Sequence, residues 1–190
     1  MRPAERAHGV PSSLLGMTLF IASELVFFGG LFGAYATLRA QAGTWPPDGT
    51  PEIDALRAGA FTVLLLASSA TQGRAARASA RGDRRALVRW LAATLALGVA
   101  FLAGQASEYA TLAGEGFGVA SNQFGALFFT MTGAHGLHVA IGLVMIAVVL
   151  ALARGRGPAP GHGAVEAVSY YWHFVDVVWI GLFSVLYLAR

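Results

Sequence analysis

The chain contains no cysteine and no lysine. Without thiols there is no disulfide, no thiolate metal site and no iron–sulfur cluster. All thirteen basic residues are therefore arginine, a skew that reads as genome composition rather than as a binding signal. Charge of either sign is scarce: 12% of residues are charged against 56% hydrophobic, and the mean hydropathy is +0.60. Such a composition cannot build an ordinary soluble surface, so the chain is an integral membrane protein. Nucleic acid is excluded as a partner, because the pI of about 9.8 reports arginines between apolar runs and not a basic face. No internal repeat is present, and with it goes the sequence sign of a transporter built from two related halves.

What the sequence does contain is long apolar runs divided by charges and breakers. A helix crosses the hydrocarbon core with ~20 residues at about 1.5 Å each. The expected fold is all-α and polytopic: residues 1–190 as a single membrane domain, a bundle of five transmembrane helices over about 13–38, 55–74, 87–110, 123–153 and 166–189. The second is the weakest, since only residues 58–72 lack breaks or charge, and Arg57 and Arg74 at its ends would have to snorkel to the interfaces. Pro11-Ser12-Ser13 suits the start of the first helix.

Arginine-rich loops stay cytoplasmic, which orients the bundle. Arg2, Arg6, Arg74, Arg77, Arg81, Arg84, Arg85, Arg89, Arg154 and Arg156 fall on one side, and Arg39, Arg57 and Arg190 on the other. With five spans this places the N-terminus in the cytoplasm and the C-terminus outside. The first run follows two arginines as a signal peptide would. It is too long for a signal core and contains Glu24, so it is expected to remain as a helix.

Ionisable groups inside the spans are the candidates for function, because lipid offers them no hydrogen-bond partner. Glu24, His135, His138 and Asp176 fall within about one turn of mid-bilayer on three helices, with His173 nearer the cytoplasmic side. For Glu24 two accounts stand open: a neutral carboxyl bonded to a neighbouring helix as structural glue, or a proton-exchanging group. His135 and His138 share a helix face, but two ligands do not make a metal site, and satisfied core histidines are the simpler reading. His173 and Asp176, at i and i+3, suit a local ion pair or hydrogen bond anchoring the last helix. Glu108 and Gln105, with Trp45 and Tyr109, suit an interfacial belt. Gly29 and Gly33 in the first span, and Gly125, Gly133, Gly136 and Gly142 in the fourth, suit close helix packing.

Six blocks in order give the chain a wider likeness. Ser23-Glu24-Leu25-Val26-Phe27-Phe28 with Phe32-Gly33-Ala34-Tyr35 resembles the glutamate-bearing helix of subunit III of the haem-copper oxidases. Trp45-Pro46-Pro47, Leu65-Leu66-Ala67-Ser68-Ser69 and Gln105-Ala106-Ser107-Glu108-Tyr109 resemble its loop, its next helix and its Gln-x-x-Glu-Tyr helix end. The most specific blocks are Thr132-Gly133-Ala134-His135-Gly136-Leu137-His138-Val139 and Tyr171-Trp172-His173-Phe174-Val175-Asp176-Val177-Val178-Trp179. The chain resembles the short bacterial form of the family, starting where the third helix of the seven-helix form would. The lipid cleft of the long form, which needs the first two helices, does not carry over whole.

The resemblance implies an accessory subunit of a terminal oxidase, such as cytochrome c oxidase, that reduces oxygen to water and pumps protons across a bacterial inner membrane. It implies partners in oxidase subunit I, as the main interface, and subunit II, with haem and copper held there and none in this chain. Membrane lipids, including structural phospholipid, are the other expected contacts. The inventory agrees: two haems and copper need more histidines than three membrane ones, and the two-copper site needs cysteine. Glu24 aligns with the family's carbodiimide-reactive glutamate, and the implied work is to support stability and proton uptake of the catalytic subunit. A quinol-oxidase subunit III or a nitric-oxide-reductase relative fits the same blocks. Two further readings are a haem carrier using His135 or His138 with His173, and a proton-coupled transporter using Glu24 and Asp176.

Overall fold

The structure is a computed structural model that describes residues 12–155 and 157–189. Five α-helices follow one another: α1 Ser12–Gln41, α2 Ala55–Ala80, α3 Arg84–Gly114, α4 Gln123–Arg154 and α5 His162–Phe183, the last running into a π-helical turn at Ser184–Leu188. Three starts are set by short polar side chains that accept from an otherwise orphaned backbone N–H. Asp54 accepts from Arg57 N at 2.9 Å, Asp83 from Ala86 N at 3.0 Å, and Asn122 from Gly125 N at 2.8 Å. The end of α4 is closed by Arg84, which donates to the carbonyls of Ala153 at 2.7 Å, Gly157 at 3.2 Å and Gly155.

The expectation of five membrane spans needs correction. Four stretches are long and apolar enough to cross a membrane: Leu14–Gln41, Arg84–Gly114, Gln123–Arg154 and His162–Leu188. Helix α2 is not among them, and its sequence explains why. It carries Arg57, Arg74 and Arg77, and Thr62, Ser68, Thr71 and Gln72 interrupt its apolar stretch. Those four polar residues are buried against neighbouring helices, so α2 is shaped to meet protein along that face. With an odd number of spans gone, the parity that set the termini on opposite sides goes too. The orientation is left without support, and Arg2, Arg6, Arg156 and Arg190, on which it drew, lie outside the described residues, as does Pro11. Helices α2 and α3 also run further than read from sequence, to Ala80 and Gly114.

Packing places α2 between α3 and α5, α4 against α3 and α5, and α1 at the edge on α5 and α4. Trp172 of α5 is the point where four helices meet. Its indole is fully buried and donates to Ser68 Oγ of α2 at 2.9 Å. A Cβ at Gly98 of α3 would come within 2.8 Å of this ring, and one at Gly142 of α4 within 2.8 Å. Only hydrogen side chains leave room there. The glycines of α1 do not work this way: a Cβ at Gly29 or Gly33 would meet nothing within 4 Å. Within this chain, α1 is held instead by Phe28 and Tyr35, its two buried large residues.

Tyr35 also mends the backbone at the other end of the chain. A π turn widens the hydrogen-bond ring and leaves a carbonyl displaced from its usual donor. Ala189 N donates back to Ser184 O at 2.9 Å, while Tyr35 OH donates to Val185 O at 2.6 Å. Trp45 Nε1 completes the chain by donating to Tyr35 OH at 3.2 Å.

Candidate functional site

Glu24 and His138 meet between α1 and α4, with Oε2 of the carboxyl 2.9 Å from Nε2 of the imidazole. The other ring nitrogen, Nδ1, lies 2.7 Å from the Ala134 carbonyl one turn back on α4. A carbonyl only accepts, so Nδ1 carries hydrogen and donates. Two arrangements then remain. A neutral ring presents a lone pair at Nε2 and needs a proton from a neutral carboxyl; a cationic ring donates from Nε2 to a carboxylate. Either way one proton is held between the two groups and the pair is neutral overall. That neutrality is how a membrane interior tolerates both.

The surroundings hold this pair in place. The Phe28 ring meets the imidazole edge-on at 5.1 Å between centroids, and Phe27 stacks on it at 6.2 Å. Tyr171 OH of α5 donates to the backbone carbonyl of His138 at 3.0 Å, which ties a third helix to the same point. The pair is 18% exposed at Glu24 and 11% at His138, so it sits just under the outer surface of the bundle. The order of residues along the chain gives no sign of the Tyr171 contact.

His173 and Asp176 lie elsewhere, on the face of α5 that meets α2. His173 Nδ1 is 2.7 Å from Ser69 Oγ and 3.8 Å from Asp176 Oδ2, so the serine takes the hydrogen bond and the carboxyl stands at ion-pair distance. His173 Nε2 is 3.3 Å from Ser169 Oγ. Along the same seam Trp172 donates to Ser68, and Trp179 Nε1 donates to Thr62 Oγ1 at 2.9 Å. Two of the polar residues that disqualify α2 as a span, Thr62 and Ser68, are the acceptors for two α5 tryptophans, and Ser69 beside them meets its histidine. Asp176 is buried at 3% exposure, and its ion-pair partner is His173 Nδ1 at 3.8 Å.

His135 is fully buried between Phe101, which meets it edge-on at 6.0 Å, and Trp179, tilted at 4.9 Å. Neither ring nitrogen has a partner. It is not joined to His138, although the two are one turn apart. Gln105 is buried and donates to the Thr132 carbonyl at 3.0 Å, and Tyr109 OH is 2.6 Å from Thr132 Oγ1. Glu108 Oε2 accepts from Tyr187 OH at 2.7 Å. Trp45 packs on Phe124 at 5.7 Å. Among the described residues, no three His, Cys, Asp or Glu side chains are gathered as a metal-holding group.

The four mid-depth groups and His173 thus divide into a Glu24–His138 pair on the α1/α4 side, an Asp176–His173 pair on the α2/α5 side, and an isolated His135. Comparison with known proteins accords with the blocks that carry them. The sequence model described as Cytochrome c oxidase subunit III matches residues 7–189. Cytochrome c oxidase subunit 3 of Synechocystis sp. is 42% identical over 184 residues, 95% of this chain and 78% of the relative. Probable cytochrome c oxidase subunit 3 of Nocardia farcinica is 45% identical over 178 residues, 93% of this chain and 87% of the relative. The Thermostichus vulcanus cytochrome c oxidase subunit 3 is 41% identical over 187 residues, 97% and 91% of the two. With blocks, helices and relatives in agreement over nearly its whole length, the chain belongs to the cytochrome c oxidase subunit III family.

Proposed function

We propose that Glu24 and His138 form a proton-holding link through which this chain supports proton uptake by the catalytic subunit of its oxidase. The chain is an accessory subunit of a haem-copper oxidase, a multi-subunit oxidoreductase complex of the membrane. The observation that carries the proposal is the single proton required between Glu24 Oε2 and His138 Nε2 once Nδ1 is committed to Ala134. A proton that moves between a carboxyl and an imidazole over 2.9 Å changes the location of charge without changing its amount. Such a pair can relay or buffer protons close to the outer surface of the bundle, where a partner subunit would sit.

In this reading subunit I provides the main interface, subunit II a lesser one, and redox chemistry stays with their haem and copper in a bacterial inner membrane. The latch at Asp176 and His173 serves assembly. The test is Glu24→Gln. Its amide can donate to Nε2 and keep the contact, but it cannot release a proton. The variant oxidase should assemble with a normal haem spectrum and show modestly slower proton uptake per electron in vesicles. Loss of the chain from the purified complex would make Glu24 structural glue and end the proton role.

A further inference from the structure

One stripe of α2 is not explained by the bundle. Val63, Ala67, Ala70, Arg74 and Arg77, continued by Arg81 at the C-terminal cap, recur every three to four residues, which places them on a single line, and all six are exposed. The first three are apolar and the last three cationic. Beside the cationic half stands Trp90 of α3, and Arg74, Arg77, Arg81 and Trp90 together line a cavity of about 370 Å³.

The charge in this cavity is not neutralised by the chain. The ion pairs among the described residues are Glu24–His138, Glu166–His162 and Asp176–His173, and none involves an arginine. Asp83, between α2 and α3, already uses Oδ1 to cap α3. Arg77 Nε donates to Gly73 O at 3.2 Å, which leaves its terminal nitrogens for another acceptor. The guanidinium of Arg74 lies 5.1 Å from the Trp90 ring centroid, and that of Arg89 lies 5.5 Å away. Cation–π contacts orient such groups but do not cancel their charge.

Depth argues for a lipid as the source of the missing anion. Trp90 lies six residues into a membrane-crossing helix that begins at Arg84, about 9 Å along its axis at 1.5 Å per residue. That is where an indole marks the boundary of headgroup and hydrocarbon. The apolar half of the α2 stripe then runs from this level towards the membrane interior, as an acyl chain would. Guanidinium groups bind phosphate oxygens in a bidentate manner, and basic pockets between membrane helices take anionic headgroups.

We propose that Arg74, Arg77, Arg81 and Trp90 bind the phosphodiester headgroup of an anionic glycerophospholipid whose acyl chain lies along Ala70, Ala67 and Val63. The site rests on membership of a membrane complex but not on any proton role for Glu24. Three arginines at about fivefold each favour an anionic over a zwitterionic lipid by about a hundredfold.

The test uses the intact oxidase, placed in nanodiscs of phosphatidylcholine with a minor share of phosphatidylglycerol, and counts retained lipids by native mass spectrometry. Wild type should keep one more phosphatidylglycerol than an Arg74→Gln, Arg77→Gln, Arg81→Gln triple variant. Trp90→Ala, which leaves every charge and hence the insertion signals in place, should hold that lipid more weakly. The haem spectrum and subunit stoichiometry of each sample report separately whether the chain is still part of an oxidase. Equal lipid counts in wild type and triple variant overturn the proposal and leave the arginines facing acidic side chains of a partner subunit. Displacement of the lipid by excess inorganic phosphate also overturns it, in favour of a soluble phosphate.

Discussion

Replacing Gly142 by alanine tests the packing that positions α5, and with it both polar pairs. The new Cβ would lie 2.8 Å and 2.9 Å from Cε3 and Cζ3 of Trp172 and 3.1 Å from Cε1 of Tyr171. Ordinary carbon contacts are at about 3.5–4.0 Å, so the overlap with the indole is at least about 0.6 Å. The ring has nowhere to retreat, because its far edge already lies where a Cβ on Gly98 would be, 2.8 Å from Cη2, and its Nε1 is bonded to Ser68. Overpacking of this kind costs about 1–3 kcal/mol. The better helix propensity of alanine offsets up to ~1 kcal/mol of it, leaving a net loss of up to about 2 kcal/mol. For a chain of this size that corresponds to about 2–4 °C per kcal/mol in a thermal transition.

The measurement is the temperature at which the chain is lost from the oxidase in mild detergent. A double-mutant cycle with Trp172→Phe makes it specific. Phenylalanine lacks the outer indole carbons that clash, so Gly142→Ala should cost little on that background, giving a coupling of about 1–3 kcal/mol, the overpacking itself. Additive effects of the two substitutions would refute the claim that Trp172 fills the space left by Gly142. A raised transition in the single variant would refute the tight contact itself.

Tyr35→Phe removes the donor to Val185 O and the acceptor of Trp45 Nε1, and leaving that carbonyl unpartnered should cost about 1–3 kcal/mol. Faster amide hydrogen exchange over residues 184–189 is the expected result, and unchanged exchange would show that the π turn does not depend on Tyr35. Ser69→Ala strips His173 Nδ1 of its 2.7 Å partner and should weaken the α2–α5 seam by ~1 kcal/mol, read as a lower dissociation temperature of the chain. Arg84→Gln uncaps the C-terminus of α4, where three carbonyls lose a guanidinium donor. A loss of about 1 kcal/mol, with faster exchange confined to the last turn of α4, is expected.

Composition and the length of the apolar runs settle the class of the fold. Long apolar runs without thiols or abundant charge must satisfy their backbone within themselves in lipid, and helices do so one run at a time. The misreading of α2 has the same origin. Hydropathy along a chain does not say which way Thr62, Ser68, Thr71 and Gln72 point, and in the fold they turn inward to meet α5 and α3. The mid-depth ionisable residues are legible as a layer, and so is the local His173–Asp176 pair, but partners on other helices are not. Glu24 and His138 are 114 residues apart, and Ser69 and His173 are 104 apart.

The rotation of each helix about its axis is fixed only by packing. Three residues along α4 turn the helix by about 300°, so His135 and His138 point about 60° apart. That difference sends one ring to Phe101 and Trp179 and the other to Glu24. The rotation is set by large rings fitting against glycines, above all Trp172 between Gly98 and Gly142. Such a fit is a property of surfaces brought together and has no counterpart along a single run of residues.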